Sequence, residues 1–108
     1  ILSVLYFQEM NVDPANPKMQ DRDRLVLCKG HAAPILYRVL AEKGFFPVEE
    51  MKTLRCFETR LQGHPCPLET PGVDAATGPL GIGLSAALGM SMPSWVTARS
   101  TRVPFGRP

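Results

Sequence analysis

Leu25-Val26-Leu27-Cys28-Lys29-Gly30-His31-Ala32-Ala33-Pro34-Ile35-Leu36 is the stretch on which the fold turns. Its first four residues form a short continuous apolar run, the pattern of a strand buried on both faces. A tight turn at Lys29-Gly30 follows, and Ala32 to Lys43 then reads as a helix with Pro34 in its first turn and Gly44 as its C-terminal stop. Helical spacing assigns Ile35, Leu36, Val39 and Leu40 to one face. Strand, turn and helix make half of a βαβ unit, so the fold class is α/β. His31 stands where strand passes into helix, the edge at which open α/β sheets take ligands. Its imidazole and the amides of the helix start can grip a diphosphate; equally, it can cap the helix or pack beneath it.

Upstream, Asp21-Arg22-Asp23-Arg24 leads into this run. The carboxylates could serve as an acid–base pair, but alternating opposite charges more often form ion pairs, and that reading is preferred. The prolines and Asx residues of Asn11 to Pro17 give an irregular connection. Residues 1 to 10, with Ile1, Leu2, Leu5, Tyr6, Phe7 and Met10 at helical spacing, read as the last turns of a buried helix. The chain opens without an initiator Met or a basic leader, which implies a missing natural start rather than a signal peptide.

Downstream, Pro47 and the acidic Glu49 and Glu50 open a second short helix through Leu54. From Arg55 to Thr77 no period holds, and a structureless connection longer than ~15 residues in a compact domain is usually functional or disordered. Leu80 to Met92 forms the final helix, whose Gly81, Gly83, Ser85, Ala86, Ala87 and Gly89 permit close approach to a backbone or ligand. Residues 1 to 92 form the partial domain; residues 93 to 108 lack an amphipathic pattern and read as a disordered or foreign tail.

The composition is that of an ordinary globular chain, with 44% hydrophobic and 20% charged residues in 108. No apolar run approaches the ~18 residues of a membrane span, which argues against a membrane partner. The formal charge is +2, but Arg99, Arg102 and Arg107 supply the excess; without them nine basic residues face ten acidic ones, leaving no stripe for nucleic acid. Cys28, Cys56 and Cys66 are odd in number and form no CxxC pair, so neither a disulfide framework nor a zinc ribbon is indicated, and a reducing cytoplasm fits.

The chemistry concentrates in Lys29-Gly30-His31-Ala32-Ala33, Gly63-His64-Pro65 and Thr77-Gly78-Pro79-Leu80-Gly81, which carry both histidines. Together they suggest a site for a phosphorylated ligand. His64 sits in a loop with neither alternation nor helical spacing; its bland reading is a solvated side chain. Gly78-Pro79-Leu80-Gly81-Ile82-Gly83 lacks the lysine of a phosphate loop and the spacing of a dinucleotide loop, so it is a weak nucleotide signal. Ligand-pair spacings for a metal are missing, and no residue is assigned to one.

In order and spacing, Met10-Asn11-Val12-Asp13-Pro14, Asp21-Arg22-Asp23-Arg24, Lys29-Gly30-His31-Ala32, Leu61-Gln62-Gly63-His64-Pro65, Thr70-Pro71-Gly72-Val73-Asp74 and Thr77-Gly78-Pro79-Leu80-Gly81 resemble transketolase, in the N-terminal part that binds thiamine diphosphate. The likeness covers about residues 1 to 91, and the Gly-His-Ala-Ala-Pro form resembles the split type, in which two halves are separate chains. The resemblance implies an incomplete thiamine-diphosphate-binding fold, a parallel sheet flanked by helices, mostly helical in this fragment. It implies that His31 contacts the cofactor diphosphate and substrate. Gly78, Pro79 and Leu80 then lie against the aminopyrimidine, and His64 is catalytic, close to the thiazolium carbon and the ketose hydroxyls. The implied reaction passes a two-carbon ketol unit from a ketose phosphate to an aldose phosphate, the cofactor serving as nucleophile and electron sink. Sugar phosphates are then the substrates, and a second copy or a C-terminal transketolase subunit the partner.

The departures matter as much. Members of that family hold Mg²⁺ through a Gly-Asp-Gly motif, since a bridged diphosphate needs hard oxygen ligands. This chain has no Gly-Asp-Gly, and Ile82 stands where a glutamine is usual. Under the degenerate code, Pro93 to Arg102 can be encoded by a stretch whose shifted frame reads Lys-Leu-Gly-Asp-Gly-Lys-Ile-Tyr-Ala-Arg, so a frameshift near Met90 to Pro93 is one expectation for the tail. The isolated chain is then expected to be inactive. The alternative is a non-catalytic assembly piece that pairs with another transketolase half.

Overall fold

Leu2–Val4 forms a single α-turn, α1, that widens into a π-turn over Leu5–Glu9 and closes where the Met10 amide donates to the Leu5 carbonyl at 2.7 Å. The computed structural model describes the backbone of residues 1–98 and the side chains of residues 1–92. Helical spacing turns Tyr6 inward, where it is 1% exposed. Beyond Met10 the chain is irregular, as its prolines and Asx residues require. The Asp13 carboxylate accepts the Ala15 amide, and Asn11 is clasped to Asp21 and Asp23 by three hydrogen bonds of 2.7 to 3.0 Å. Arg22 pairs with the Asp74 carboxylate, whose side chain is 2% exposed, and the second Asp74 oxygen accepts the Leu25 amide at 2.8 Å. The charged run is therefore a structural clasp. Burial, and after it the Asp74 carboxylate, push the Tyr6 phenol up to about 12, with Arg22 pulling the other way.

The strand expected over Leu25 to Cys28 does not form, and no strand exists among the described residues. A strand is held by a neighbour's ladder of hydrogen bonds. Here the Leu25 amide goes to a carboxylate instead, Leu25 to Leu27 are half-buried, and Cys28 is exposed. Neither burial on both faces nor half of a βαβ unit is present, and the described fold is helical and irregular.

A 3₁₀ turn over Gly30–Ala32 leads into α2, Ala33–Lys43, with Pro34 in its first turn. Gly44 ends it in the left-handed conformation; its amide and that of Phe45 cap the Leu40 and Ala41 carbonyls. Ala33, Leu36, Tyr37, Leu40 and Ala41 follow helical spacing into the core, joined by Val39. Ile35 is 62% exposed rather than buried, because it lies about 200° around the helix from Tyr37. Tyr6, Phe46, Leu61 and Val73 pack around this face.

Val48–Thr53 is a 3₁₀ helix, opened by Pro47 and carrying Glu49 and Glu50 in its first turn. Arg60 binds Glu50 with both arms of its guanidinium, at 2.7 and 2.5 Å, and lies 5.4 Å over the Phe46 ring. These hydrogen bonds hold the Glu50 carboxyl below the usual range and Arg60 above its own. The last element, α3, spans Ile82–Ala98. A Cβ on Gly83 would lie 2.5 Å from Cα of Cys28, so only glycine lets this helix rest on that backbone. Beyond this contact Leu84, Leu88 and Met92 are exposed. The helix passes the end expected at Met92 and runs through Pro93 to Ala98. Of the tail expected to be disordered over residues 93–108, residues 93–98 continue α3 and residues 99–108 lie outside the described residues. No helix among the described residues is long and apolar enough to cross a membrane.

Candidate functional site

Three segments distant along the chain meet at Gly30. The turn that opens α2 buries Gly30 and leaves His31 exposed. A Cβ on Gly30 would fall 2.7 Å from Cδ2 of His64, 2.7 Å from the Thr77 carbonyl oxygen and 3.0 Å from Cα of Gly78. A residue without a side chain is what admits this approach. The His31 and His64 rings stand edge to face, their centroids 5.2 Å apart and their planes at 71°. The structure thus brings together His31, His64 and Gly78; Pro79 and Leu80 follow along the chain, both exposed.

Each segment is positioned by a local rule. Helix formation from Ala33 sets Gly30 and His31 at the positive end of α2, where their amides precede the first internal bond, from Ala32 to Lys29. Pro65 restricts His64 to extended backbone and is itself buried. On the other side of His64, the phenol of Tyr37 donates to the Gln62 carbonyl at 2.9 Å. That tie was not visible in the sequence; the one signal for it was a tyrosine at helical spacing from Ala33 and Leu40. Thr77 Oγ1 is buried without a hydrogen-bond partner among the described residues, so the approach to Gly78 carries unmet polar capacity.

Two exposed imidazoles, a bare glycine backbone and a helix start suit an anionic diphosphate. They do not suit Mg²⁺ held by this chain alone. Among the described residues no three His, Cys, Asp or Glu side chains cluster. Two cavities, of about 430 and 500 Å³, lie away from the histidines; the first is lined by Arg22, Arg24, Glu69 and Asp74 among others, the second by Glu50 and Arg60.

The family described as the transketolase, thiamine diphosphate binding domain, matches residues 1–104. The 6-deoxy-6-sulfo-D-fructose transketolase subunit SqwG of Clostridium sp. (strain MSTE9) is 50% identical over 92 residues, 85% of this chain and 34% of that protein. Transketolase of Mus musculus is 50% identical over 91 residues, 84% of this chain and 14% of that protein. Among solved structures, the transketolase of Pichia stipitis in complex with sedoheptulose-7-phosphate superposes with a TM-score of 0.85 at 33% identity, over 94% of this chain and 15% of that one. The chain therefore spans about a third or less of the length of these relatives.

Proposed function

The chain belongs to the transketolase thiamine-diphosphate-binding family, and from that premise we propose that it supplies one wall of a cofactor site for ketol transfer between sugar phosphates. The meeting of His31, His64 and Gly78 around Gly30 carries this reading. In it, His31 donates to the diphosphate and to substrate, aided by the positive end of α2. Gly78, Pro79 and Leu80 offer backbone to the aminopyrimidine. His64 is the catalytic residue, holding a proton at a ring nitrogen beside the ketose hydroxyls. When bound, thiamine diphosphate supplies the nucleophilic carbon and the electron sink. Mg²⁺ is held by residues outside this chain, as the missing Gly-Asp-Gly requires.

The run Leu25 to Cys28 is a strand of a parallel sheet in the complete subunit, paired with strands that this chain does not contain. Its half-buried apolar residues support that placement. The free thiols of Cys28, Cys56 and Cys66 are in keeping with a reducing cytoplasm. The family match runs on to residue 104; the proposed division at Met92 and its origin in a shifted reading frame are tested by the coding DNA, which either contains the alternative frame or ends that part of the proposal.

The test is calorimetric titration of the chain with thiamine diphosphate and Mg²⁺, alone and with a split-type C-terminal transketolase subunit. Binding is expected with the partner, and its loss in His31→Ala; turnover of a ketose and an aldose phosphate by the chain alone is expected to be absent. Cofactor binding unchanged in both His31→Ala and His64→Ala contradicts the site. A second reading, assembly without catalysis, is favoured by the exposed Leu84, Leu88 and Met92 of α3. It predicts association with the C-terminal subunit and no heat with the cofactor.

A further inference from the structure

We propose that the buried hydroxyls of Tyr37 and Thr70 are positioning groups that fix the Arg60–Gln62 backbone and thereby set the His64 imidazole against His31 and Gly30. Tyr37 is 0% exposed on α2, and its Oη donates to the Gln62 carbonyl at 2.9 Å, two residues before His64. Thr70 is 1% exposed, and its Oγ1 donates to the Arg60 carbonyl at 2.7 Å. Between these two held carbonyls, the Leu61 side chain is fully buried in the core. The segment is held a third time by the pair of Arg60 with Glu50.

Packing alone does not demand these groups. A phenylalanine fills the space of Tyr37, and a valine that of Thr70, without the cost of burying a hydroxyl. Each hydroxyl instead meets a carbonyl of the loop that carries His64, in a segment with no regular backbone ladder. Burial raises the Tyr37 phenol above its ordinary value, with the neighbouring Thr70 hydroxyl opposing, so the phenol stays protonated and able to donate. On the far side of His64, Pro65 is buried and rigid in φ. Only Gly63 and His64 lie between the fixed points, so a shift at Gln62 reaches the imidazole directly.

The consequence for ligand binding rests on the proposed role of His64; the consequence for ring placement does not. The test uses the full chain with labelled histidines, whose two imidazoles are the only ones present. Cross-relaxation between the rings reports their approach, and the Leu40 methyl shifts report the core. Tyr37→Phe and Thr70→Val should each lower the equilibrium constant between the close and open ring pairs about fivefold, as loss of one hydrogen bond implies. The Leu40 shifts should hold, and Thr70→Ser should restore the wild-type signal. If one variant fails to fold, the other decides. Unchanged cross-relaxation in the folded variants overturns the proposal, as does collapse of the Leu40 shifts in both, which would make the hydroxyls general stabilisers. Altered ring placement with unchanged cofactor affinity upholds the positioning role and defeats the site reading; weakened affinity with unchanged ring placement does the reverse.

Discussion

Helices α2 and α3 are both largely apolar, yet their surroundings differ. Six residues of α2 are buried, against Tyr6, Phe46, Leu61 and Val73. On α3, Gly83 is buried against Cys28, while Leu84 and Leu88 are 76% and 64% exposed. The first helix finds its complement within this chain; the second keeps wet an apolar surface whose burial is worth roughly 25 cal/mol per Å². The region around α2 thus stabilises itself and carries His31 and the tether to His64. The region around α3 leaves its apolar residues exposed, and the chain spans 34% of the SqwG relative.

The contrast breaks most readily at the clasp beneath α2. Asp74→Ala would leave Arg22 without its partner and the Leu25 amide without an acceptor, in a site where Asp74 is 2% exposed. Loss of about 3–5 kcal/mol is expected by chemical denaturation. A loss below about 1 kcal/mol would mean that the α2 region does not depend on its clasp. Gly83→Ala comes next, since its Cβ would stand 2.5 Å from Cα of Cys28. It should cost about 1–3 kcal/mol and speed proteolysis within α3, with the Leu36 and Leu40 signals of α2 unchanged. Parallel loss at both helices would show a single cooperative unit.

A smaller effect sharpens the comparison at the rim of α2. Arg60 holds the Glu50 carboxyl below its ordinary value of 4.5, so the folded state releases this proton more readily than the unfolded one. The pair's contribution is present above pH 4.5 and lost as pH falls through the lowered value. At about a third exposure for each partner it is worth under about 1 kcal/mol. Glu50→Gln should remove that part of the acid dependence, seen in melting temperature against pH; an unaltered acid limb would locate the dependence elsewhere. Smallest is Leu88→Asp, expected to change the chain's own stability by within about 0.5 kcal/mol while weakening association with a C-terminal subunit. Strong destabilisation of the chain alone would show that α3 is already covered.

What the sequence made legible was local. Pro34 and Gly44 mark the ends of α2 because each acts on the backbone within a turn of its own position, and both boundaries fall within a residue of the expected ones. The Gly83 approach to Cys28 likewise followed from the small residues of α3. What depended on distant partners was not legible. Leu25 to Cys28 carries a strand pattern, but a pattern does not provide the neighbouring strand, and the Leu25 amide went to Asp74. Ile35 and Tyr37 are both acceptable to a core by residue type; the direction from which Leu61 and Val73 arrive decides between them. The meeting of His31, His64 and Gly78 was implied by the family resemblance of the runs that carry them, whereas the Tyr37 and Thr70 hydroxyls that hold the loop left no such trace.

The most direct measurement is carbethoxylation of the two histidines, read residue by residue by mass spectrometry, on the complex with a C-terminal transketolase subunit. It compares the complex without and with thiamine diphosphate and Mg²⁺. One shared cofactor site predicts that His31 and His64, both exposed in this chain, become protected together when the cofactor binds. Protection of His31 while His64 continues to react at its unprotected rate would contradict it.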